Sequence, residues 1–242
     1  MLGVAFEGCA CKAAFHAGVA AALAEARLPI ALTAGTSSGS LCAAALAAGR
    51  GSDLPELWRA LAGRSLISFR RALWNRSIFD MSHLVRGAIV DSLGAVDLRD
   101  GPVEALVVAT RLRDWQPVVF SSRTEPALLE PLLGSCFLPP FYGRAIRVRG
   151  ELLIDGGLTD NLPIEALAAR GADEIVAVVT SPGGTALKSP LRPWWRPQVE
   201  GKHVHVVHPE RPLPIGSWDF SADRMSRAID EGYRRGRILI GS

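Results

Sequence analysis

Ser37, Asp155 and the short loop that begins at Gly8 are the positions whose residue types and settings could do chemistry together. Ser37 is the centre of Gly35-Thr36-Ser37-Ser38-Gly39, and only this register fits the pattern G-x-S-x-G, so Ser38 is not the candidate. An apolar run, Pro29 to Ala34, precedes the pattern and a small-residue, helix-favouring run, Ser40 to Ala48, follows it. A serine at the tip of a sharp strand-to-helix turn has its Oγ lifted clear of the backbone, and the flanking glycines let neighbouring chain pass close to it. The following helix adds its N-terminal partial positive charge beside the reacting centre. Ser37 is therefore a candidate nucleophile. With 24 glycines in 242 residues an ordinary Gly/Ser turn would read the same way, so a second catalytic residue is required.

Asp155 meets that requirement. Arg144 to Asp155 alternates as two short strands around a turn at Gly150, and the second ends in Asp155-Gly156-Gly157-Leu158-Thr159-Asp160-Asn161-Leu162-Pro163. A carboxylate at the C-terminal end of a strand, followed by two glycines, can reach the crevice where open α/β sheets place their ligands. There it would accept the Ser37 proton as the hydroxyl attacks an ester carbonyl, and later activate water to release the acyl group. None of the five histidines follows a strand-end turn leading into such a crevice, so the expectation is a dyad. The third part is Glu7-Gly8-Cys9-Ala10-Cys11-Lys12, between an apolar strand at Leu2 to Phe6 and an alanine-rich helix at Ala13 to Arg27. Outward amides and a helix dipole make such a loop an anion or oxyanion site. Gly8, Cys9 and Ala10 would donate to the oxyanion, and Lys12 would steady the loop or meet a phosphate. A tight turn without a ligand also fits. The G-x-G-x-x-G of a dinucleotide loop is absent.

These motifs, in this order, resemble the patatin-like phospholipase family, which pairs a glycine-rich loop after its first strand with a G-x-S-x-G elbow after its second. Gly8 and Lys12 stand where the family has its first glycine and its basic residue, and Phe15, His16, Gly18 and Val19 look like the start of its first helix. Ser135 to Phe141 is similar to the family segment beside the acyl pocket, and the run from His208 through the last helix resembles its C-terminus. Asp155-Gly156-Gly157 matches the motif whose aspartate is the partner of the serine, and Asn161-Leu162-Pro163 the N-x-P that follows it. The resemblance implies a three-layer α/β/α sandwich with a mostly parallel central sheet. It also implies a lipid acyl hydrolase of phospholipase A or lysophospholipase type, with a lipid ester or phospholipid as substrate and no cofactor. Cys9, Ala10 and Ala13 occupy positions where the family usually has glycine, and a side chain at any that needs positive φ costs about 1 kcal/mol or more. The dyad alone does not choose the leaving group, so a carboxylesterase, thioesterase or acyltransferase stays open. A catalytically weak lipid-binding or scaffold protein stays open as well.

The elements that must position these residues read in order. Leu54 to Ala62 is a helix and Met81 to Leu93 another; Ala105 to Thr110 and Pro117 to Ser121 are strands; Glu125 to Gly134 is a helix. Glu174 to Thr180 and Val204 to Val207 are further strands, and Ser221 to Ile240 is a C-terminal helix. Two stretches break the pattern. Gly63 to Asp80 sets Arg64, Arg70, Arg71 and Arg76 among Phe69, Trp74 and Phe79, which suits an anionic lipid interface, although a solvated amphipathic helix fits too. Ser181 to Lys202 carries four prolines, three glycines and Trp194-Trp195, which reads as a long irregular loop able to cap a pocket or meet lipid.

Length and composition allow one domain. At 48% hydrophobic and 21% charged, 242 residues can build one large core. The formal charge of +3 calls for no nucleic-acid partner. No run is apolar enough to span a bilayer and no basic n-region opens the chain, so neither a transmembrane helix nor a signal peptide is expected. A cytoplasmic location, peripheral at most, is the expectation. The four cysteines are expected to be reduced, and Cys9-Ala10-Cys11 lacks further ligands at useful sequence spacing, so no metal site is expected. Nothing in the sequence indicates an oligomeric state.

Overall fold

The computed structural model describes residues 1–62, 98–125, 127–138, 146–190 and 192–241. The stretch at 63–80, read as either a lipid interface or a solvated amphipathic helix, the helix expected at 81–93 and the last part of the Ser135 to Phe141 segment lie outside the described residues.

Among the described residues, eight strands form one mixed sheet, ordered β10-β7-β1-β2-β3-β6-β5 with β4 on β3: β1 (Leu2–Phe6), β2 (Ile30–Thr36), β3 (Glu104–Arg111), β4 (Gln116–Ser121), β5 (Ile146–Val148), β6 (Glu151–Asp155), β7 (Glu174–Val178) and β10 (His203–Val207). The run from β10 to β3 is parallel, and β4, β5 and β6 pair antiparallel. The central parallel strands are apolar on both faces, as a sheet covered on both sides requires. Their period-two alternation sorts side chains into two cores. Val4, Phe6, Val107, Ala109, Val176 and Val178 pack under α1 (Ala13–Glu25), α2 (Ser38–Ala47), α3 (Leu54–Leu61), α4 (Leu129–Ser135) and the C-terminal helix, α6 (Ala222–Gly241). Ala5, Leu106, Ile175, Ala177 and Val179 pack on the opposite face, under α5 (Ile164–Ala169) and the hairpin of β8 (Ala186–Leu187) and β9 (Trp194–Trp195). This is the expected three-layer α/β/α architecture. Helix α1 is buried along nearly its whole length, consistent with its all-round alanine-rich composition. Among the described residues no helix is long and apolar enough to cross a membrane.

The helix expected at Glu125 to Gly134 is shorter, because the Thr124 and Glu125 amides turn back onto the Ser121 carbonyl before α4 begins at Leu129. Ser181 to Lys202 is not wholly irregular: Ala186 and Leu187 pair antiparallel with Trp195 and Trp194. Strands of two residues are too short to show a period, which is why sequence patterning passes over them.

One detail of the sheet positions the chemistry. β4 occupies one edge of β3 from Leu106 to Arg111, so β2 and β6 share the other. β2 runs parallel along it and ends with Thr36 opposite Val108, while β6 runs antiparallel and ends with Asp155 opposite Ala109. Two strand ends thus arrive head-on at consecutive positions of β3, and the residues at those ends are brought together although 118 positions separate them in sequence.

Candidate active site

Ser37 is the hinge between β2 and α2. β2 continues through Gly35 and Thr36, and α2 begins at Ser38, so only one residue of the Gly35 to Gly39 pattern makes the turn. Ser37 takes φ 52° and ψ −130°, a conformation that costs an L-residue of order 1–3 kcal/mol. The neighbouring glycines do not absorb this turn; they allow close approach. A Cβ at Gly35 would strike the Gly39 carbonyl, and a Cβ at Gly39 would strike the Phe6 carbonyl at the end of β1. The strain is held by polar contacts. The Ser37 amide donates to Ser135 Oγ at 2.8 Å, Ser135 Oγ donates to the Val108 carbonyl at 2.6 Å, and Ser40 Oγ donates to the Ser37 carbonyl at 2.6 Å.

Ser37 Oγ donates to Asp155 Oδ2 at 2.7 Å. The other carboxylate oxygen, Oδ1, accepts the Gly157 amide at 2.8 Å, so Asp155 is clamped from two sides. Its backbone is fixed by its amide on the Phe137 carbonyl at 2.7 Å and by Thr110 Oγ1 donating to its carbonyl at 2.8 Å. Gly156 leaves no room for a Cβ beside the Val108 carbonyl, and a Cβ at Gly157 would stand 2.7 Å from Asn161 Oδ1. Burial pushes the Asp155 carboxyl up to about 6, opposed by the bonds from Ser37 and Gly157 that favour its charged form. A carboxyl in that range is ionised at neutral pH yet basic enough to take a proton, the tuning a general base requires.

The loop after β1 packs directly on the elbow: a Cβ at Gly8 would stand 2.6 Å from Asn161 Oδ1 and 3.2 Å from Ser37 Cβ. Its three candidate amides are not equivalent. Gly8 donates to the Asn161 carbonyl at 3.0 Å and Cys9 donates to Ser38 Oγ at 3.2 Å. The Ala10 amide, and that of Ser38 at the start of α2, donate to no acceptor among the described residues. Lys12 closes a 3-10 turn, Ala10–Lys12, with its amide on the Cys9 carbonyl at 3.2 Å, and its side chain does not line the cavity described below. Of the three positions that depart from glycine, only Ala10 takes positive φ, at 51°; Cys9 has φ −155° and Ala13 φ −64°. Left-handed backbone costs a Cβ-bearing residue roughly 1–2 kcal/mol, more than the freedom glycine adds to the unfolded chain. Ala10→Gly is therefore expected to hold or raise the thermal midpoint, whereas Ala13→Gly lowers stability by about 0.5–1 kcal/mol. Thermal unfolding of the two variants side by side checks the contrast.

Ser37, Asp155 and the loop open into a cavity of about 330 Å³, at the lower end of the range for small-molecule sites. Leu41 from α2, Trp58 and Leu61 from α3, and Cys136 and Leu138 beyond α4 make apolar walls. Leu187 and Pro190 reach it from the segment read as a possible pocket cap, and Trp218, 46% exposed, joins Phe220 from the approach to α6.

Sequence reasoning passes over several of these residues. Ser135 is visible there only as part of an apolar-wall segment, yet its hydroxyl holds the nucleophile's amide. Asn161 is visible as part of N-x-P, yet its backbone ties three segments, accepting from Gly8 and donating to the Lys188 carbonyl at 2.8 Å. Ser135→Ala would strand the Ser37 amide and the Val108 carbonyl. Such unpaired buried groups cost about 1–3 kcal/mol, so chemical denaturation is expected to show a loss in that range.

A family model described as Patatin-like phospholipase matches residues 4–168. Lysophospholipase nte1 of Aspergillus fumigatus is 28% identical over 183 residues, a match covering 73% of this chain and 12% of that protein. An uncharacterized NTE family protein of Mycobacterium tuberculosis is 28% identical over 163 residues, covering 67% of this chain and 44% of that one. Patatin-like phospholipase domain-containing protein 2 of Mus musculus is 30% identical over 179 residues, covering 68% and 35%. The chain thus spans less than half the length of these curated relatives. Among solved structures, VipD from Legionella pneumophila superposes with a TM-score of 0.59 at 14% identity, covering 99% of this chain and 66% of that one, which shows a shared fold.

Proposed function

This chain belongs to the patatin-like phospholipase family, and we propose that it is a serine acyl hydrolase of lipid esters, working through a Ser37–Asp155 dyad. The observation that carries the reading is the 2.7 Å bond from Ser37 Oγ to a buried carboxylate at the wall of an apolar cavity. Asp155 takes the Ser37 proton as Oγ adds to the ester carbonyl carbon. Donors aimed at the developing oxyanion are worth about 3 kcal/mol each, and the amides of Ala10 and Ser38, unbonded among the described residues, are the ones we assign to it, in place of the Gly8–Ala10 trio. Collapse breaks the ester C–O bond, and the Asp155 carboxyl returns the proton to the departing alcohol. Asp155 then deprotonates a water that attacks the acyl-serine, and the fatty acid leaves with Ser37 restored.

The apolar walls suit an acyl chain, which favours lipid esters of phospholipase A or lysophospholipase type over small polar esters. Exposed Trp194 and Trp218 suit contact with a lipid surface, where indole rings sit at headgroup depth. The test is fatty-acid release from a long-chain lysophosphatidylcholine, compared with a short-chain ester and an acyl thioester. Faster turnover of the lipid is expected; preference for the short ester or the thioester selects those activities instead, and no release from any of them favours a lipid-binding scaffold.

Because the base must be ionised to act, kcat/KM is expected to fall as pH drops, reaching half its plateau near pH 6. A pH–rate profile on a neutral ester substrate reads this directly.

A further inference from the structure

Beneath the loop that follows β1, three side chains of different donor chemistry converge, and the hydrolytic mechanism uses none of them. Glu7 directly follows β1, Cys9 lies in the loop and His16 lies in the first turn of α1; a carboxylate oxygen, a sulfur and a ring nitrogen all fall within 4.8 Å of one another. Cys9 Sγ is 3.7 Å from His16 Nδ1, 3.8 Å from Nε2 and 3.9 Å from Ser38 Oγ. Glu7 Oε1 is taken by the Thr180 amide at 2.6 Å and the Thr180 hydroxyl at 2.5 Å, which leaves Oε2 as its available ligand. We propose that Glu7, Cys9 and His16 form a binding site for a thiophilic divalent cation of the zinc or cadmium class, and that occupancy of this site inhibits the neighbouring serine.

The donor set fits such an ion in type and charge, and reaches its spacing with a small closure of the site. Zinc takes sulfur at about 2.3 Å and nitrogen at about 2.0 Å, so a tetrahedral centre holds these two donors about 3.5 Å apart. The Cys9–His16 separation exceeds that by a few tenths of an ångström and the three donor atoms lie within 4.8 Å of one another, so they close on an ion by side-chain rotation together with a turn of the loop backbone at Cys9. On binding, the Cys9 S–H bond breaks and the sulfur coordinates as thiolate; its proton, with any proton on the Glu7 carboxyl, passes to solvent. A dication with one thiolate, one carboxylate and one neutral imidazole has no net charge, which removes most of the penalty for an ion at a buried position. Entry is available because Cys9 is half-buried and lines the cavity that holds Ser37.

The same geometry supplies the inhibition. Cys9 donates its amide to Ser38 Oγ and directly precedes the Ala10 amide assigned to the oxyanion. Drawing the sulfur toward a metal turns this backbone, and with it the donor. This half of the proposal rests on the hydrolase reading; binding itself does not.

The test uses the whole chain, purified reduced and metal-free, titrated with Cd²⁺ and followed by the ultraviolet thiolate-to-cadmium charge-transfer band. One equivalent per chain is expected. The band should vanish in Cys9→Ala, persist in Cys11→Ala, and need at least about tenfold more Cd²⁺ in Glu7→Gln and His16→Gln. A band that survives Cys9→Ala overturns the site, and so does one indifferent to both Glu7→Gln and His16→Gln. If those two buried variants fail to fold, the Cys9→Ala and Cys11→Ala pair still decides. Zn²⁺ should displace Cd²⁺ and, over the same concentrations, suppress fatty-acid release by wild type but not by Cys9→Ala relative to its own metal-free rate. Stoichiometric binding without suppression overturns the inhibitory half. A cadmium signal with no hydrolysis in any sample supports the metal site and counts against the hydrolase.

Discussion

Ser37→Ala is expected to lower kcat for a lipid ester by about 10⁵–10⁶-fold, the scale on which removing a covalent nucleophile acts. The alanine keeps its Cβ and therefore the strained φ 52°, ψ −130° backbone, and it takes the donor from the buried Asp155 Oδ2, so stability should fall by about 1–3 kcal/mol. Ser37→Gly should be equally inactive yet more stable than Ser37→Ala, by about 1–2 kcal/mol, because glycine relieves the strain. Equal loss of activity with unequal stability would separate the chemical role of the hydroxyl from the backbone cost of presenting it. Calorimetry beside single-turnover kinetics measures both.

Asp155→Asn is expected to lower kcat by about 10⁴-fold, since the amide is nearly isosteric but cannot accept the serine proton at neutral pH. It should also change how stability depends on pH. In the unfolded chain this carboxyl titrates near 3.8 and in the folded chain near 6. Below about pH 4 both states hold the proton and the group contributes nothing. Between the two values the folded state keeps a proton that the unfolded state has released, so stability falls as pH rises. Above about pH 6 the full penalty is present, on the order of 3 kcal/mol for a carboxyl displaced this far. Asp155→Asn lacks this contribution, so its stability should fall less than wild type's between pH 4 and pH 7. A residual slope is expected, because burial also raises Glu7, to about 7, and Asp160, to about 6. Urea unfolding at several pH values reads the difference.

The parallel strands, the buried α1 and the positions of Ser37 and Asp155 are legible in the sequence because each is written locally: apolar runs of strand length, an alanine-rich helix, and glycine-flanked serine and aspartate at strand ends. What is not legible depends on partners far along the chain. The Gly8–Ala10 loop offers three amides by sequence, but Asn161 and Ser38 take two of them, and no local pattern announces that. Gly35 and Gly39 are legible as positions of close chain approach, and they do pack against backbone carbonyls, but that the whole bend falls on Ser37 is not written in the pattern. Ser135 is an ordinary serine in an apolar segment until the fold brings it under the elbow. The Cys-x-Cys spacing draws attention to Cys11, while the donors that meet Cys9 come from the end of a strand and the first turn of a helix.

Fluorophosphonate labelling with peptide mapping by mass spectrometry reads at once whether Asp155 activates Ser37 beside a functioning oxyanion site. A single adduct on Ser37 is expected, formed at a rate half-maximal near pH 6, absent in Ser37→Ala and strongly slowed in Asp155→Asn. Folded protein that takes no label, with or without liposomes, or that takes it on Ser38 or another serine, would contradict it.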